Sequence, residues 1–313
     1  MVAELLPKLK RLLQAECVVL ESFGDKESFG DMDVLVQTGG VYNVQEMIDL
    51  IKEHLKPPLT DTFKNDNVFS FDHKELQIDL IFTEPDNMQI AFDFSKFNDC
   101  GNLCGKIAHK FSTKYGFDGL RFVYRTSEEK VLGEITLTKD IKKILEFIGL
   151  KHDVWTKGFD TDEQVFDFVI SSKYFDADSF KLENLNSINR KRNAKRKMYH
   201  AFIEYCEKIK PVSNYTFNPD KTSYRDKIEQ HFPGFNVELK KMEVEEAHRK
   251  ALREKFNGDL VMAAFPELTG AALGAAMSNF KKSIIDFDEY LHHREAVFIM
   301  KDFSDYYKGE TFL

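Results

Sequence analysis

The chain is poor in cysteine, tryptophan and proline, and it has no long apolar run. Four cysteines in 313 residues are too few for a disulfide framework. Cys100 and Cys104 have a CxxxC spacing, but Cys17 and Cys206 offer no second pair to complete a zinc site. Free thiols in a reducing cytoplasm are the expectation, and the protein is read as cytoplasmic. No stretch approaches the ~20 apolar residues of a membrane span, so no membrane partner is expected. Residues 1–16, MVAELLPKLKRLLQAE, place charges inside a leucine pattern. They read as an amphipathic helix packed on the first domain, not as a signal peptide. Internal repeats and low-complexity linkers are also absent. A net charge of −8 with 31% charged residues argues against a general nucleic-acid coat. It leaves room for a local basic patch.

With 42% hydrophobic residues the chain can bury a sizeable core, and its length suits two domains. Leu5, Leu6, Leu9, Leu12 and Leu13 mark one face of a first helix. Residues 17–20 and 32–36 read as strands, 43–55 as a helix stopped by Pro57-Pro58, and 68–71 and 76–82 as a strand pair. A helix over 106–114 and a last β-pair at 121–124 and 134–137 follow. After about residue 138 strand alternation gives way to helical spacing at 141–148, 162–171, 190–208, 240–256, 270–285 and 294–307. The expected fold class is therefore α+β. A mixed-sheet domain over 1–138 precedes a mainly helical region over 139–313.

The most informative residues are Asp31 and Asp33, two apart at the start of the apolar run Met32–Val36. In a strand, residues i and i+2 share a face, so both carboxylates project together and repel unless a cation lies between them. A hard ion such as Mg2+ takes such oxygen ligands and keeps positions open for water and phosphate. Asp79 is a third acid, in the apolar strand 76–82, where alternation puts it with Gln77 on the face opposite Ile78 and Leu80. A buried acid there needs a cation or a donor.

These residues resemble the nucleotidyltransferase superfamily that includes DNA polymerase beta. The pattern is a Gly-Ser turn, an Asp-x-Asp on the next strand and a third Asp on a later one. Ser22 and Gly24 stand for the turn, with Glu21 where the pattern has glycine. Asp31-Met-Asp33 is the pair and Asp79 the third acid. The run Gly24–Val36 is especially similar to family X polymerases. The resemblance implies two Mg2+ ions, with Mn2+ as an alternative, held by Asp31, Asp33 and Asp79, which are then also the catalytic residues. It implies a nucleoside triphosphate substrate gripped by Ser22 and the backbone around Gly24, with Lys26 adding positive charge. It also implies base and sugar contacts from the segment 92–102, including Phe94 and Asn98. Phe94 and Phe97 are each candidates for stacking or for core.

Lys106, His109 and Lys110 share a helix face and suit either phosphates or solvent. The densest basic run is Arg190, Lys191, Arg192, Lys195, Arg196 and Lys197. On one continuous helix it would wrap most of the circumference and suit a tract of phosphates. The tail, through Gly258-Asp-Leu260 and Gly270-Ala-Ala-Leu-Gly274, is similar to CCA-adding tRNA nucleotidyltransferases and their poly(A) polymerase relatives. Gly270 and Gly274, a turn apart, would allow close approach of a helix or a phosphate. Taken together, the expectation is a nucleotidyltransferase that adds nucleotides from NTP to an RNA 3′ end, tRNA foremost. The alternatives are a family X-like DNA polymerase, an enzyme placing a nucleotide on a protein or small molecule, and a catalytically inactive binding module. No helix-hairpin-helix or lyase module is expected ahead of the acids.

Overall fold

A computed structural model describes residues 2–22, 24, 30–55, 59–125 and 130–309. Lys26 lies outside the described residues. The chain forms two compact units, Met1–Phe235 and Asn236–Leu313. The change of pattern near residue 138 falls inside the first.

Unit 1 opens with α1 (Val2–Leu13), β1 (Cys17–Val19), β2 (Asp31–Gln37), α2 (Val44–His54), β3 (Thr60–Asn65), β4 (Val68–His73) and β5 (Leu76–Thr83). The strands form one sheet in the order β1-β2-β5-β4-β3. β2 and β5 run parallel and the other pairs are antiparallel, so the sheet is mixed and the fold α+β. Leu5, Leu9 and Leu13 of α1 and Met47, Ile48 and Ile51 of α2 cover one face. They pack on Met32, Val34 and Val36 of β2, Phe69 and Phe71 of β4, and Ile78, Leu80 and Phe82 of β5. Each such side chain, removed from water, contributes about 1.5–3 kcal/mol. α2 starts on a capping box, in which Asn43 Oδ1 accepts from the Glu46 N–H at 3.0 Å and Glu46 Oε2 accepts from the Asn43 N–H at 2.7 Å.

The other face meets α3 (Met88–Ser95), where Ala91 packs on Leu35 and Ile81. Then come α4 (Cys100–His109), β6 (Thr113–Gly116), β7 (Gly119–Arg125) and β8 (Val131–Thr138), with the strands in an antiparallel sheet β6-β7-β8. The helix expected over 106–114 thus lies earlier, and its last residues form β6. The Thr113 hydroxyl caps the Ala108 carbonyl at 2.7 Å and Ser112 turns to φ +58°, which ends the helix. Cys100 and Cys104 are buried free thiols one turn apart on α4, and Cys17 and Cys206 are also free.

The rest of unit 1 is helical: α5 (Ile141–Phe147), α6 (His152–Lys157), α7 (Asp162–Ile170), α8 (Ser187–Asn193), α9 (Lys197–Ile209) and α10 (Arg225–His231). α11 (Phe235–Lys255) begins at the boundary. Unit 2 continues with α12 (Gly258–Ala264), α13 (Gly270–Lys282), α14 (Phe287–His293) and α15 (Ala296–Lys308) around Phe256, Val261, Phe280, Leu291, Ile299 and Phe303. Gly270 needs its φ of +53°. A Cβ added at Gly270 or Gly274 would meet nothing within 4 Å, so no close helix approach fixes these two glycines. No helix among the described residues is long and apolar enough to cross a membrane.

Candidate active-site cavity

β2 and β5 are in parallel register with Asp31 beside Gln77 and Asp33 beside Asp79. Neighbours in register point to one face, so all four polar side chains lie opposite the core residues Met32, Val34, Ile78 and Leu80. Asp31 and Gln77 are exposed, whereas Asp33 and Asp79 are half-buried. The sheet therefore leaves Gln77 exposed rather than buried. Gln77 Nε2 donates to Asp79 Oδ1 at 3.0 Å, which supplies the donor that a strand acid needs.

A cavity of about 730 Å3 opens on this edge. Asp31 and Asp33 line it together with Glu21, Ser22, Phe94, Asn98, Asp99, Asn102, Phe117, Arg192 and Arg196. With Leu76 and Ile81 of β5, six separate stretches of chain meet in one space. Asp79 stands next to Asp33 in register but is not part of the lining.

The loop between α3 and α4 fixes the Ser22 side. Phe97 and Asn98 both sit in the left-handed region, at φ +58° and +55°, which costs each roughly 1–2 kcal/mol. The buried Phe97 ring offsets this by packing edge-on against Trp155 at 5.9 Å and Phe159 at 4.8 Å. Phe97 is therefore core, whereas Phe94 reaches the cavity with its ring braced by Tyr115 and Phe117. The exposed Asn98 side chain accepts from the Ser22 hydroxyl at 3.2 Å. Lys96 Nζ pairs with Glu21 at 2.8 Å and lies within 5.3–5.4 Å of the Phe92, Phe97 and Trp155 ring centroids. The Phe97 N–H also donates to the Glu21 carbonyl at 3.3 Å. Gly24 is exposed, outside the lining, and its N–H donates to the Phe159 carbonyl at 3.3 Å.

The opposite wall comes from the basic run, which is not one helix. It is split between α8 and α9, with Arg196 extended at φ −95°, ψ 112°. The buried Asn193 explains the break: its amide donates to the Asn189 carbonyl at 2.9 Å and its Oδ1 accepts from Asn102 of α4 at 3.1 Å. Arg196 forms an ion pair with Asp99 at the start of α4. Arg190 donates to the carbonyls of Leu182, Glu183 and Leu185 at 3.0, 3.1 and 2.9 Å, so it closes the preceding turn. Lys191, Arg192, Lys195 and Lys197 are exposed.

Sequence reasoning placed Arg192 and Arg196 on a polymer-binding face and did not single out Asp99, Asn102 or Phe117. The one local signal was the polar spacing of Asp99 and Asn102 at the start of an otherwise apolar helix.

For a metal, the donor chemistry is the test. Among the described residues, no three His, Cys, Asp or Glu side chains converge as a ready-made cage. Mg2+ does not need one, since it commonly takes one or two carboxylates with waters and substrate phosphates. Asp31 and Asp33, open to a roomy cavity with two arginines on its other wall, fit that mode. No protein-family model and no curated protein matches the chain.

Proposed function

We propose that this cavity transfers a nucleotide from a nucleoside triphosphate to the 3′ end of an RNA, tRNA foremost. The observation that carries the reading is the placement of Asp31 and Asp33 in one cavity with Ser22, Asn98, Arg192 and Arg196. Asp31 and Asp33 would hold Mg2+, with Asp79 as the adjoining acid. When bound, the ion neutralises phosphate charge and lowers the pKa of a coordinated hydroxyl. Arg192 and Arg196 supply the positive charge that draws a triphosphate across from the carboxylates. Arg196 is held in place by Asp99, so it enters the reaction already oriented. The Ser22 hydroxyl and Asn98 amide form a polar rim for the sugar and phosphates, and the Phe94 ring gives a base an apolar surface. The acceptor 3′ hydroxyl attacks the α-phosphorus in line, a new P–O bond forms, and the bond to pyrophosphate breaks. Asp79, beside Asp33 in register but outside the lining, would take up the hydroxyl proton only by way of Asp33 or a bridging water.

The test is incubation with each labelled NTP and dNTP, offering tRNA lacking its 3′ end, a primed DNA, or no acceptor. Extension of the tRNA by ribonucleotides is the expected result. Templated dNTP addition to the DNA alone would overturn the RNA assignment.

A further inference from the structure

Asn102 meets the cavity beside the Phe94 ring. A Cβ built on its neighbour Gly101 would collide with the Phe94 carbonyl and lie 2.8 and 3.0 Å from the ring atoms Cδ2 and Cε2. The ring therefore rests directly on the α4 backbone, one residue from Asn102, and both residues line the cavity.

Which end of its amide Asn102 offers is decided on α8. The Asn189 carbonyl can only accept, so the buried Asn193 turns its amide nitrogen to it, at 2.9 Å. Asn193 Oδ1 then faces α4, where it accepts from Asn102 Nδ2 at 3.1 Å. Asn102 is thus held by its nitrogen. Among the described residues its Oδ1 accepts from no group, and it is not a sealed, unpaired atom. In a half-buried residue of the lining, that oxygen is open to the cavity. Flipping either amide would set oxygen against oxygen, which costs about a factor of ten or more in population.

A fixed acceptor beside an aromatic ring suits the edge of a base. Adenine and cytosine carry an exocyclic amine, a donor, where guanine and uracil carry a carbonyl. We propose that Asn102 is a specificity-determining residue that accepts a hydrogen bond from the exocyclic amine of a base stacked on Phe94, and that Asn193 is the positioning residue that keeps the accepting oxygen toward the cavity. The proposal rests on the cavity being a nucleotidyl-transfer site and names the part of the nucleotide that this wall reads.

The experiment measures the Kd of ATP, ITP, CTP, UTP and 2′-dATP by isothermal titration calorimetry on the full chain in Mg2+, with no acceptor present. ATP differs from ITP, and CTP from UTP, by an amine in place of a carbonyl. Wild type should bind the amine-bearing member of each pair about tenfold tighter, because the carbonyl would oppose a fixed acceptor. Asn102→Leu should lose that preference by weakening ATP and CTP alone. Asn193→Leu should bring both ratios near one, since the freed Asn102 amide can turn its nitrogen to a carbonyl and ITP and UTP gain. General loosening of the wall would weaken both members alike and keep the ratio, and that result overturns the positioning role. If Asn193→Leu does not fold, Asn193→Asp still accepts from Asn102 and should keep the wild-type ratio; a ratio near one there overturns the same role. Equal binding within both pairs by wild type overturns the proposal and leaves the transfer reading standing. A preference confined to ATP over 2′-dATP moves the contact to the sugar and overturns the base assignment. Failure of every triphosphate to bind contradicts both readings.

Discussion

Asp79→Asn should stabilise the protein without metal and weaken its response to Mg2+. Asp79 and Asp33 are register partners on adjacent parallel strands, both half-buried, with Asp31 on the same face. Strands lie about 4.8 Å apart, and two carboxylates on such a pair, taken as ~6 Å apart at an effective dielectric of 20–40, repel by about 1–3 kcal/mol. Exposure of Asp31 favours the lower end. The amide keeps the oxygen that accepts from Gln77, so the substitution removes charge and little else. A gain of about 1 kcal/mol raises Tm by roughly 2–4 °C for a unit of this size. Wild type should gain a comparable amount in 10 mM Mg2+ if the ion binds with a millimolar Kd, since stabilisation grows with the ratio of ligand to Kd. The assay is thermal unfolding followed by circular dichroism, in EDTA and in Mg2+, for both proteins. A lower Tm for Asp79→Asn in EDTA, with an undiminished Mg2+ response, would refute the reasoning, because Asp79 would then neither repel its neighbours nor help hold a cation.

The Lys227 ammonium is enclosed 3.3, 3.6 and 4.4 Å from the ring centroids of Phe111, Tyr174 and Phe147 and has no hydrogen-bond partner. Burial, then Lys173, pushes it down to about 6 against the opposing attraction of the rings. The unfolded chain therefore holds this proton over a pH range where the folded protein has released it, and stability rises with pH from about 6 to 10. Lys227→Met should raise Tm at pH 7 and flatten that rise, as a series of melts against pH would show. Arg190→Ala should cost about 1–2 kcal/mol in denaturant unfolding, from three orphaned carbonyls, while nucleotide binding stays within twofold. Asn43→Ala removes one half of the α2 capping box and should cost about 1 kcal/mol by the same measurement.

The strands bearing the acids were legible in the sequence because their signal is local. Alternation in 31–37 and 76–83 fixes which side chains face the core, and only one register buries Met32, Val34, Ile78 and Leu80 together. The edge strand β3 was not legible, since 60–65 is polar and takes its order from pairing with β4. Helix α3 was missed for a related reason: its eight residues are too few for a clear period, and packing on Leu35 and Ile81 holds them helical. The cavity's second wall was the least legible part. Nothing near Arg192 or Arg196 shows that Asn193 bonds to Asn102, or that Asp99 waits for Arg196. Those contacts join residues more than ninety positions apart and turn an expected polymer-binding helix into a wall of the cavity.

The most direct test of the central claim is the rate of nucleotide addition to tRNA lacking its 3′ end by wild type and by Asp33→Asn, with equal folding shown by circular dichroism. The account predicts Mg2+-dependent extension and pyrophosphate release by wild type, and a loss of about a hundred- to thousandfold in the variant, on the order found when one electrostatic stabiliser of a transition state is removed. Near-normal turnover by Asp33→Asn, or no transfer by wild type with any NTP and acceptor, would contradict it.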